Sequence, residues 1–477
     1  MTTLSRASLA GLPAGISRPG HDPAAIRTGI VHFGPGAFHR AHQAAFIDKV
    51  LDSDPRWGIA AVSLRSGTTT DALKAQDGLY TLAVIDREPF TRIIAAHSEA
   101  VGPGEGARLR ALLASPEVRI ATSTVTEKGY CLGGDGTLDL AHPDIVHDLA
   151  RPEEPASVIG WIVTGLADRR AAGVPPFAML CCDNMTGNGG KLRAACVALA
   201  RAWDADLADW IASAVAFPDS MVDSITPASD AAFLARVADE LGVEDKGAVQ
   251  RESFTQWVLQ RFDMADGPDL AAAGVTLTSD VRGYEQAKLR VLNGSHSSLA
   301  YIGLVLGHET VFEAMSDAAL GGFVTRLAHQ DIAASLGTVD GLDVPGYVDA
   351  VLNRFRNPAI RHLLSQIAWD GSQKLPYRLL DTTAAALDAG RSVERLAVPV
   401  AAWIAFLAAK AKAGDKITDP LAGVLAAAAT DPAPVEAVLA LRQVFPARVA
   451  EDARYRETLT AAFAAIQAGK LGALLEG

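Results

Sequence analysis

The chain has 477 residues, enough for about two to three domains and for a large core that needs no disulfide or metal to fold. Hydrophobic residues make up 49% of it and charged residues 21%, a balance typical of a soluble globular protein. The net charge of −12 and the absence of any run of Lys and Arg argue against nucleic acid as a partner.

The cysteines and the apolar stretches indicate the cellular compartment of the protein. Four cysteines occur, none with the CxxC or Cys/His spacing of a metal site, which predicts free thiols in a reducing compartment and no bound metal. The N-terminus lacks the apolar core of a signal peptide. The apolar stretch at 396–409 is too short to span a bilayer and predicts a buried helix. We therefore expect a cytoplasmic protein with no membrane partner.

The first half of the chain alternates between β-like and helix-like patterns. Short β-branched runs end at glycines or polar residues, and amphipathic stretches lie between them. The predicted strands are 29–33, 57–64, 118–125 and 177–182. The predicted helices between them are 37–51, 106–114 and 157–171. This alternation predicts an α/β domain with a parallel sheet covered on both faces.

From about Tyr284 to the C-terminus the apolar residues recur at helical spacing. Stretches 396–411, 421–429 and 456–468 are rich in Ala and Leu, and no β run interrupts them. We therefore predict two domains, an α/β domain over 1–282 and a mainly α-helical domain over 283–477.

A glycine turn follows the first predicted strand and opens the first helix. In such a turn Gly34 permits the tight bend, Gly36 lets the backbone approach a pyrophosphate, and the helix N-terminus faces the phosphates. His39 stands where the usual third glycine would be. The turn predicts a dinucleotide-binding domain, and the alternative is an ordinary β–α turn.

The end of the second strand bears on the choice of cofactor. An acid at this point commonly holds the adenosine ribose, but residues 63–67 carry Arg65 and no acid. Because Arg65 would suit a 2′-phosphate, the residues leave NAD and NADP both open. His39, Arg40 and His42 form a basic cluster that either contacts the pyrophosphate or is simply a solvated helix start.

A second group of polar residues lies at the start of the helical half. On a helix of about 100° per residue, Asn293 lies roughly 140° and His296 roughly 80° around from Lys288, and Glu285 falls within roughly 20° of His296. Their neighbours are apolar, so this polar arc predicts a lined cavity. The alternative is a solvated helix face.

These residue types suit the oxidation of an alcohol by a nicotinamide. A lysine can take the hydroxyl proton if burial or a neighbouring cation lowers its pKa. Asparagine amides are neutral donors to the developing alkoxide, and a histidine can orient the hydroxyl or act as the base itself. With no zinc-ligand spacing in the sequence, a metal-free mechanism is favoured.

The motifs together resemble a known family, the polyol-specific long-chain dehydrogenases. The resemblance begins with the K-x4-N-x2-H pattern at Lys288 and the glycine turn at 34–43. It continues, in the family's order and over nearly the whole chain, through the blocks 125–130, 182–189, 221–227 and 370–376.

The resemblance implies an N-terminal Rossmann-type domain, a mainly helical C-terminal domain and an active site in the cleft between them. It implies that Lys288 is the general base and that Asn184 and Asn293 form an oxyanion hole. His296 would bind and orient the reacting oxygen, and Glu285 would gate proton transfer to solvent.

The resemblance also implies the cofactor and the substrate. The expected cofactor is NAD, bound by Gly34, Gly36, Phe38, His39, Arg40, Arg65, Thr126 and Glu127. The expected reaction is the oxidation of D-mannitol to D-fructose, with sorbitol and D-arabinitol as related polyols, in a monomeric enzyme. Lys374 would contact distal hydroxyls of the substrate, and Asp223 would either line the cleft or be structural.

One departure from the family pattern leaves a second substrate class open. Some members carry an arginine eight residues before Lys374, where this chain has Gln366, and the block 370–376 also resembles the branch that reduces the hexuronates fructuronate and tagaturonate. A carboxylate substrate would need a guanidinium partner, for which Arg378, Arg361 and Arg40 are candidates. A nucleotide-binding sensor is a third alternative, but a sensor would not need a Lys, Asn and His set.

Overall fold

The computed structural model describes residues 1–86 and 88–476. The chain divides into two compact units, Met1–Arg282 and Gly283–Gly477. The strands of the first unit are β1 Thr28–Phe33, β2 Gly58–Val62, β3 Tyr80–Ile85, β4 Phe90–Ile94, β5 His97–Val101, β6 Ile120–Ser123, β7 Ala178–Cys181, β8 Ser220–Asp223, β9 Val249–Glu252, β10 Gln256–Gln260 and β11 Thr276–Thr278.

In the described part of the first unit, nine α-helices connect or cover these strands. They are α1 Ala37–Ala41, α2 Gln43–Leu51, α3 Thr68–Ala75, α4 Gly106–Ala114, α5 Pro143–Ala150, α6 Val158–Ala171, α7 Asn188–Trp203, α8 Ala205–Ala214 and α9 Ala231–Leu241. Short 3₁₀ turns occur at Arg6–Gly11, Pro55–Trp57 and Glu127–Tyr130.

The central sheet has five parallel strands in the order β5–β2–β1–β6–β7. Numbered along the chain among themselves, these strands follow the order 3-2-1-4-5 of a doubly wound nucleotide-binding fold. The strand order reverses between β1 and β6, and ligands of such sheets bind at the carboxyl ends of the strands at that point. The predicted α/β class of the first unit is confirmed.

Alternation along β1 explains why helices cover both faces of this sheet. Val31 and Phe33 point into a core shared with Ile159 of α6, whereas Ile30 points into a second core that contains Phe46 of α2. Both faces are therefore apolar, which is why the parallel strands read as continuous β-branched runs.

Two parts of the first unit differ from the prediction. The helix predicted at 37–51 is broken at His42, whose φ of −120° and ψ of −89° lie outside the helical region. Two further three-stranded sheets, β4–β3–β9 and β11–β10–β8, were not predicted. Their strands have three to six residues and, apart from the neighbouring pair β3 and β4, pair with partners further away in the chain, so local periodicity gives little sign of them.

The second unit is helical, and in its described part no residue lies in a strand apart from an isolated bridge between Thr310 and Leu363. The helix α10 Val281–Ala287 leads into this unit. The further α-helices are α11 Ser295–Leu306, α12 Val311–Ser316, α13 Ala318–Arg326, α14 Val344–Phe355, α15 Leu364–Ile367, α16 Gly371–Leu375, α17 Asp381–Asp388, α18 Glu394–Ala413, α19 Ala422–Ala429, α20 Pro434–Leu439, α21 Ala447–Ala450, α22 Ala453–Gln467 and α23 Leu471–Glu476. The remaining turns are π-helical at Lys288–Gly294, Leu327–Ile332 and Pro376–Leu380, and 3₁₀ at Ala333–Ser335.

The apolar helix predicted near 396–409 is α18, Glu394–Ala413. With 20 residues it is longer than predicted, and by length and composition it is the one described helix that could cross a membrane. However, 67% of its most apolar window is buried inside the protein, as expected of a core helix. It packs against α11 and α22.

Candidate active site

The glycine turn lies at the end of β1, beside the point where the strand order reverses. Gly34 adopts a φ of +85°, and a Cβ there would lie 2.3 Å from the carbonyl oxygen of Thr124. A side chain at this position is therefore excluded both by conformation and by space. A Cβ on Gly36 would meet nothing closer than 3.9 Å, so a ligand can approach the backbone at this point.

A cavity of about 560 Å³ opens next to this turn. It is lined by Phe33 at the end of β1 and Gly34 directly after it, by Arg65 after β2 and by Thr126 after β6. Concave sites of this size at the strand ends of such sheets take nucleotides. The residues present therefore fit a dinucleotide, which the glycine turn had predicted.

The histidines and arginine that follow the turn are buried, so a solvated helix start is wrong. His39 and His42 have no exposed surface, and Arg40 is 7% exposed. The guanidinium of Arg40 donates to the carbonyl oxygens of Pro35 at 2.5 Å and Gly247 at 3.2 Å. Arg40 therefore ties the turn to the loop before β9, and its contact with the cofactor stays a prediction.

His39 belongs to a buried histidine cluster. Its ring stacks on His32 with a centroid distance of 3.4 Å, and its Nε2 lies 3.1 Å from Nε2 of His97. Burial lowers the pKa of His32 and of His97 to about 3. These rings are therefore neutral at neutral pH and pack next to the turn, and the contact of His39 with the cofactor stays a prediction.

The loop after β6 carries Thr126 and Glu127, both exposed. Thr126 has a φ of 66° and a ψ of 161°, a conformation that residues other than glycine rarely adopt. The carboxylate of Asp183 holds this loop by accepting hydrogen bonds from the backbone N–H of Val125 at 2.9 Å and of Thr126 at 2.8 Å, and from the Tyr130 hydroxyl at 2.5 Å. Asp183 lies in one of the blocks that resemble the family, but no local pattern indicates its role.

Asn184 and Asp223 follow two other strands of the first unit. Asn184 comes three residues after the last residue of β7 and is exposed. Asp223 ends β8 and is 6% exposed, with its Cα paired to that of Gln256 in β10. Asp223 is therefore part of a buried sheet edge, a position compatible with either of its predicted roles.

In the second unit, the polar residues predicted to share one helix do so, but the helix is not a regular α-helix. Glu285 lies in α10, Lys288 and Asn293 lie in the π-helical turn Lys288–Gly294, and His296 lies in the first turn of α11. A π-turn closes its hydrogen bond from residue i to residue i+5 and rotates less per residue than an α-turn. Asn293 is therefore turned back towards the face of Lys288, closer than the α-helical angle predicts.

The π-helical geometry is accompanied by a close backbone contact. A Cβ on Gly294 would lie 2.7 Å from the carbonyl oxygen of Arg378, so only glycine allows the turn at 288–294 to pack against Pro376–Leu380. π-turns are rare and are frequent at functional sites. Lys288 and Asn293 are partly exposed, whereas Glu285 and His296 are each 8% exposed.

The His296 ring lies among aromatic rings and cations. Its centroid is 4.4 Å from that of Phe355 and 5.1 Å from that of His362. Burial holds the pKa of His296 well below its ordinary value, and the nearby His362, Arg354 and Arg378 act in the same direction. The imidazole is therefore neutral at neutral pH and can either donate or accept one hydrogen bond.

Lys374 and Arg378 project from neighbouring turns, four residues apart. The Lys374 ammonium donates to the carbonyl oxygen of Ile367 at 3.4 Å, and Arg378 donates to the Ser297 hydroxyl at 3.1 Å. Burial lowers the pKa of both groups, and Arg378 lowers that of Lys374 further. Gln366, which replaces the arginine of some relatives, is exposed.

The three arginines considered as carboxylate partners have different environments. Arg361 is exposed and pairs with Glu309, and Arg40 is buried in the first unit among backbone carbonyls. Of these three, only Arg378 is close enough to His296 to lower its pKa. It makes no ion pair within the part of the chain that the structure describes, so its charge is available to a ligand.

One group of potential metal ligands occurs among the described residues, a set that sequence spacing had not indicated. Cys131, His142 and Asp144 each place one potential ligand atom within 4.8 Å of the others. However, Asp144 already accepts a hydrogen bond from Arg65, and burial raises the pKa of the Cys131 thiol to about 11. Because a metal needs the thiolate and a free carboxylate, this set is poorly prepared for one.

Comparison with known proteins identifies the family. Residues 28–271 match the model of the mannitol dehydrogenase Rossmann domain, and residues 280–467 match that of the mannitol dehydrogenase C-terminal domain. The chain is 39% identical to the D-mannonate oxidoreductase of Escherichia coli K12, over 94% of this chain and 95% of that protein.

Two further relatives differ in their named cofactor. The polyol:NADP oxidoreductase of Gluconobacter oxydans 621H is 34% identical over 86% of each chain. The structure of Pseudomonas fluorescens mannitol 2-dehydrogenase in ternary complex with NAD and D-mannitol is 34% identical, with a TM-score of 0.80 over 100% of this chain and 99% of that one. This chain belongs to the mannitol dehydrogenase family of polyol oxidoreductases.

Proposed function

We propose that this protein catalyses the NAD-dependent, reversible oxidation of D-mannitol to D-fructose, and of related polyols such as sorbitol and D-arabinitol, without a metal. The observation that carries the proposal is the π-helical turn that holds Lys288 and Asn293, followed directly by His296. Lys288, Asn293 and His296, which we propose as the base, the amide donor and the neutral imidazole, therefore lie on consecutive turns. The matched mannitol 2-dehydrogenase with bound NAD and D-mannitol supports it.

In the proposed reaction, NAD supplies the hydride acceptor when bound. Lys288 takes the proton of the reacting hydroxyl, and His296 orients that hydroxyl with its neutral ring. Asn184 and Asn293 donate to the oxygen, on which negative charge develops as the C–H bond breaks. Glu285 passes the proton from Lys288 on towards solvent, leaving a carbonyl at the oxidised carbon.

The cofactor role of the first unit follows from its backbone. Gly36 offers open backbone to a pyrophosphate, and the loop around Thr126 borders the same cavity. Among the predicted cofactor residues, Gly34, Arg65 and Thr126 line this cavity. Lys374 is proposed to contact the end of the substrate away from the reacting carbon.

A sugar acid is the second candidate substrate, and Arg378 favours it. The Arg378 guanidinium is half-buried and has no acidic partner in the described chain, and burying an unpaired charge costs free energy. Lys374 adds a second cation four residues away. A substrate carboxylate would neutralise this charge through a charge-assisted hydrogen bond. The relative named D-mannonate oxidoreductase agrees with such a substrate.

Reduced-cofactor absorbance with D-mannitol, sorbitol, D-arabinitol and D-mannonate separates the two candidates. We expect the highest kcat/KM with D-mannitol, and Arg378→Met should then affect all polyols alike. A preference for D-mannonate that Arg378→Met selectively removes would replace the polyol proposal with the sugar-acid one. Arg361→Met, which alters an exposed arginine paired with Glu309, is the matched control.

A further inference from the structure

The residues directly after β2 include no acid, but the structure brings an acid from a distant part of the chain close to them. Arg65 follows this strand and its side chain is 79% exposed. Its Nη2 donates to the carboxylate of Asp144, the second residue of α5, which is 79 positions further along the chain. The ion pair thus joins two elements that are distant in sequence.

Both members of this pair border the space next to the glycine turn. Arg65 and Asp144 line the cavity of about 560 Å³ that contains Gly34 and Thr126. They also line a larger neighbouring cavity of about 910 Å³, which Val62 at the end of β2 and Gly102 after β5 border as well. The pair therefore lies where the two cavities meet, at the strand ends where adenosine riboses bind in this class of fold.

We propose that Asp144 determines the choice between NAD and NADP by neutralising Arg65. This inference rests on the cofactor role proposed for the first unit. An unpaired arginine at this position would attract the 2′-phosphate of NADP, whereas a ribose 2′-hydroxyl needs no cation. With Asp144 in place the guanidinium already has a carboxylate partner, and the carboxylate itself repels a phosphate dianion.

The expected change in NADPH affinity follows from how far the Arg65–Asp144 pair is exposed to solvent. An ion pair whose arginine side chain is 79% exposed and whose aspartate side chain is 24% exposed contributes little to stability, so we expect Asp144→Asn to fold. Its charge still acts on a phosphate a few ångströms away, and removing it is expected to change NADPH affinity by about tenfold, the scale of one charge interaction near a protein surface. The change should shrink as salt is added, because these groups are exposed to the counterions.

The test measures the binding of NADH and NADPH to the full-length protein by cofactor fluorescence, with no polyol present. Asp144→Asn should tighten NADPH binding by about tenfold and leave NADH binding unchanged. The double variant Asp144→Asn with Arg65→Ala should lose that gain, since the guanidinium is its source. Asp209→Asn is the matched control, because Asp209 pairs with Arg201 at 2.6 Å far along the chain, on α8.

Three results would overturn the proposal. The first is an NADPH to NADH affinity ratio that Asp144→Asn leaves at the wild-type value. The second is a gain that survives in the double variant. The third is weaker NADH binding without any gain for NADPH, which would make Asp144 a direct partner of the ribose. If Asp144→Asn does not fold by circular dichroism, Asp144→Ser replaces it, because serine also suits the first turn of a helix.

The result of this cofactor-binding test does not depend on which substrate the enzyme oxidises. If both cofactors bind but no polyol or sugar acid reacts, the proposed function fails while the role of Asp144 is still tested. If polyols react but the cofactor ratio does not move, only the role of Asp144 fails.

Discussion

The carboxylate of Asp183 accepts a hydrogen bond of 2.8 Å from the backbone N–H of Thr126, a residue held at a φ of 66°. Such a backbone costs about 1–3 kcal/mol and persists only where the surroundings impose it. A second oxygen of the same carboxylate accepts from Val125 and Tyr130. Asp183 therefore holds the loop that borders the cofactor cavity, and it comes directly before Asn184.

Replacing Asp183 should weaken cofactor binding. Hydrogen bonds to a charged group contribute about 1.5–3 kcal/mol, and Asp183→Asn removes the charge while keeping the shape. We expect a higher dissociation constant for NADH, measured by fluorescence titration. Asp219→Asn is the matched control, since Asp219 also accepts from two backbone N–H groups, those of Gly189 and Gly190, at the start of α7. Equal effects of both variants would indicate a general loss of stability.

Replacing Lys288 should remove the base and spare the cofactor. Lys288→Ala is expected to lower turnover by roughly 10²–10⁴-fold, the scale of general-base catalysis, with NADH affinity unchanged. The measurement is the pH dependence of kcat, in which the limb due to the base should disappear. Lys412→Ala, in the last turn of α18, is the control. Near-normal turnover of Lys288→Ala at neutral pH would transfer the role of base to His296.

The two proposed amide donors should act mainly on turnover. Asn184→Ala and Asn293→Ala should each cost about 2.7–4 kcal/mol of barrier, because the oxygen is charged only in the transition state. The double variant should lose less than the product of the single losses, since both donors serve one oxygen. A variant that raises only KM, with kcat intact, would show that its asparagine is a binding contact.

Removal of metal should leave activity unchanged. Prolonged dialysis against a chelator is expected to preserve kcat, and elemental analysis of the active protein should find no stoichiometric metal. Cys131→Ser tests the one candidate ligand set among the described residues, and it should be neutral for activity. Loss of activity on chelation with recovery on re-addition of a metal would contradict the proposed mechanism.

Acid should destabilise the first unit through its buried histidines. The pKa of His32 and of His97 is about 3 in the folded chain, against the ordinary 6.5. Between these values the unfolded chain binds more protons than the folded one, so the free energy of unfolding falls as pH drops below 6.5 and levels off near 3.

This pH dependence can be measured from thermal unfolding between neutral and acidic pH. Replacing one buried histidine removes up to about 1.4 kcal/mol per pH unit from the slope of stability against pH. The Tm of His97→Gln should therefore fall less steeply with acid than that of the wild type. His329→Gln, at a more exposed histidine paired with Asp349, should keep the wild-type slope. An unchanged slope in His97→Gln would mean that another group causes the acid sensitivity.

Several elements could be predicted because their information is local. The glycine turn, the helix Gly106–Ala114 and the mainly helical second half follow from period and turn chemistry within a few residues. The grouping of Glu285, Lys288, Asn293 and His296 on successive helical turns was predictable for the same reason. In contrast, the pairing of β3 with β9 and of β10 with β8 joins strands that are distant in the chain, and no local pattern predicts it.

By itself, the sequence determined the two-part organisation, the cofactor turn and the set Lys288, Asn293 and His296, because spacing along the chain specifies each of them. Tertiary structure alone decided which side chains meet. It buried His39 against His97 where a basic surface had been one expectation, and it brought Asp144 to Arg65. It also set the π-helical turn at 288–294, since that geometry accompanies the approach of the Arg378 backbone to Gly294. Contacts of this kind depend on packing between segments far apart in the chain, and the periodicity of apolar residues along the sequence does not predict them.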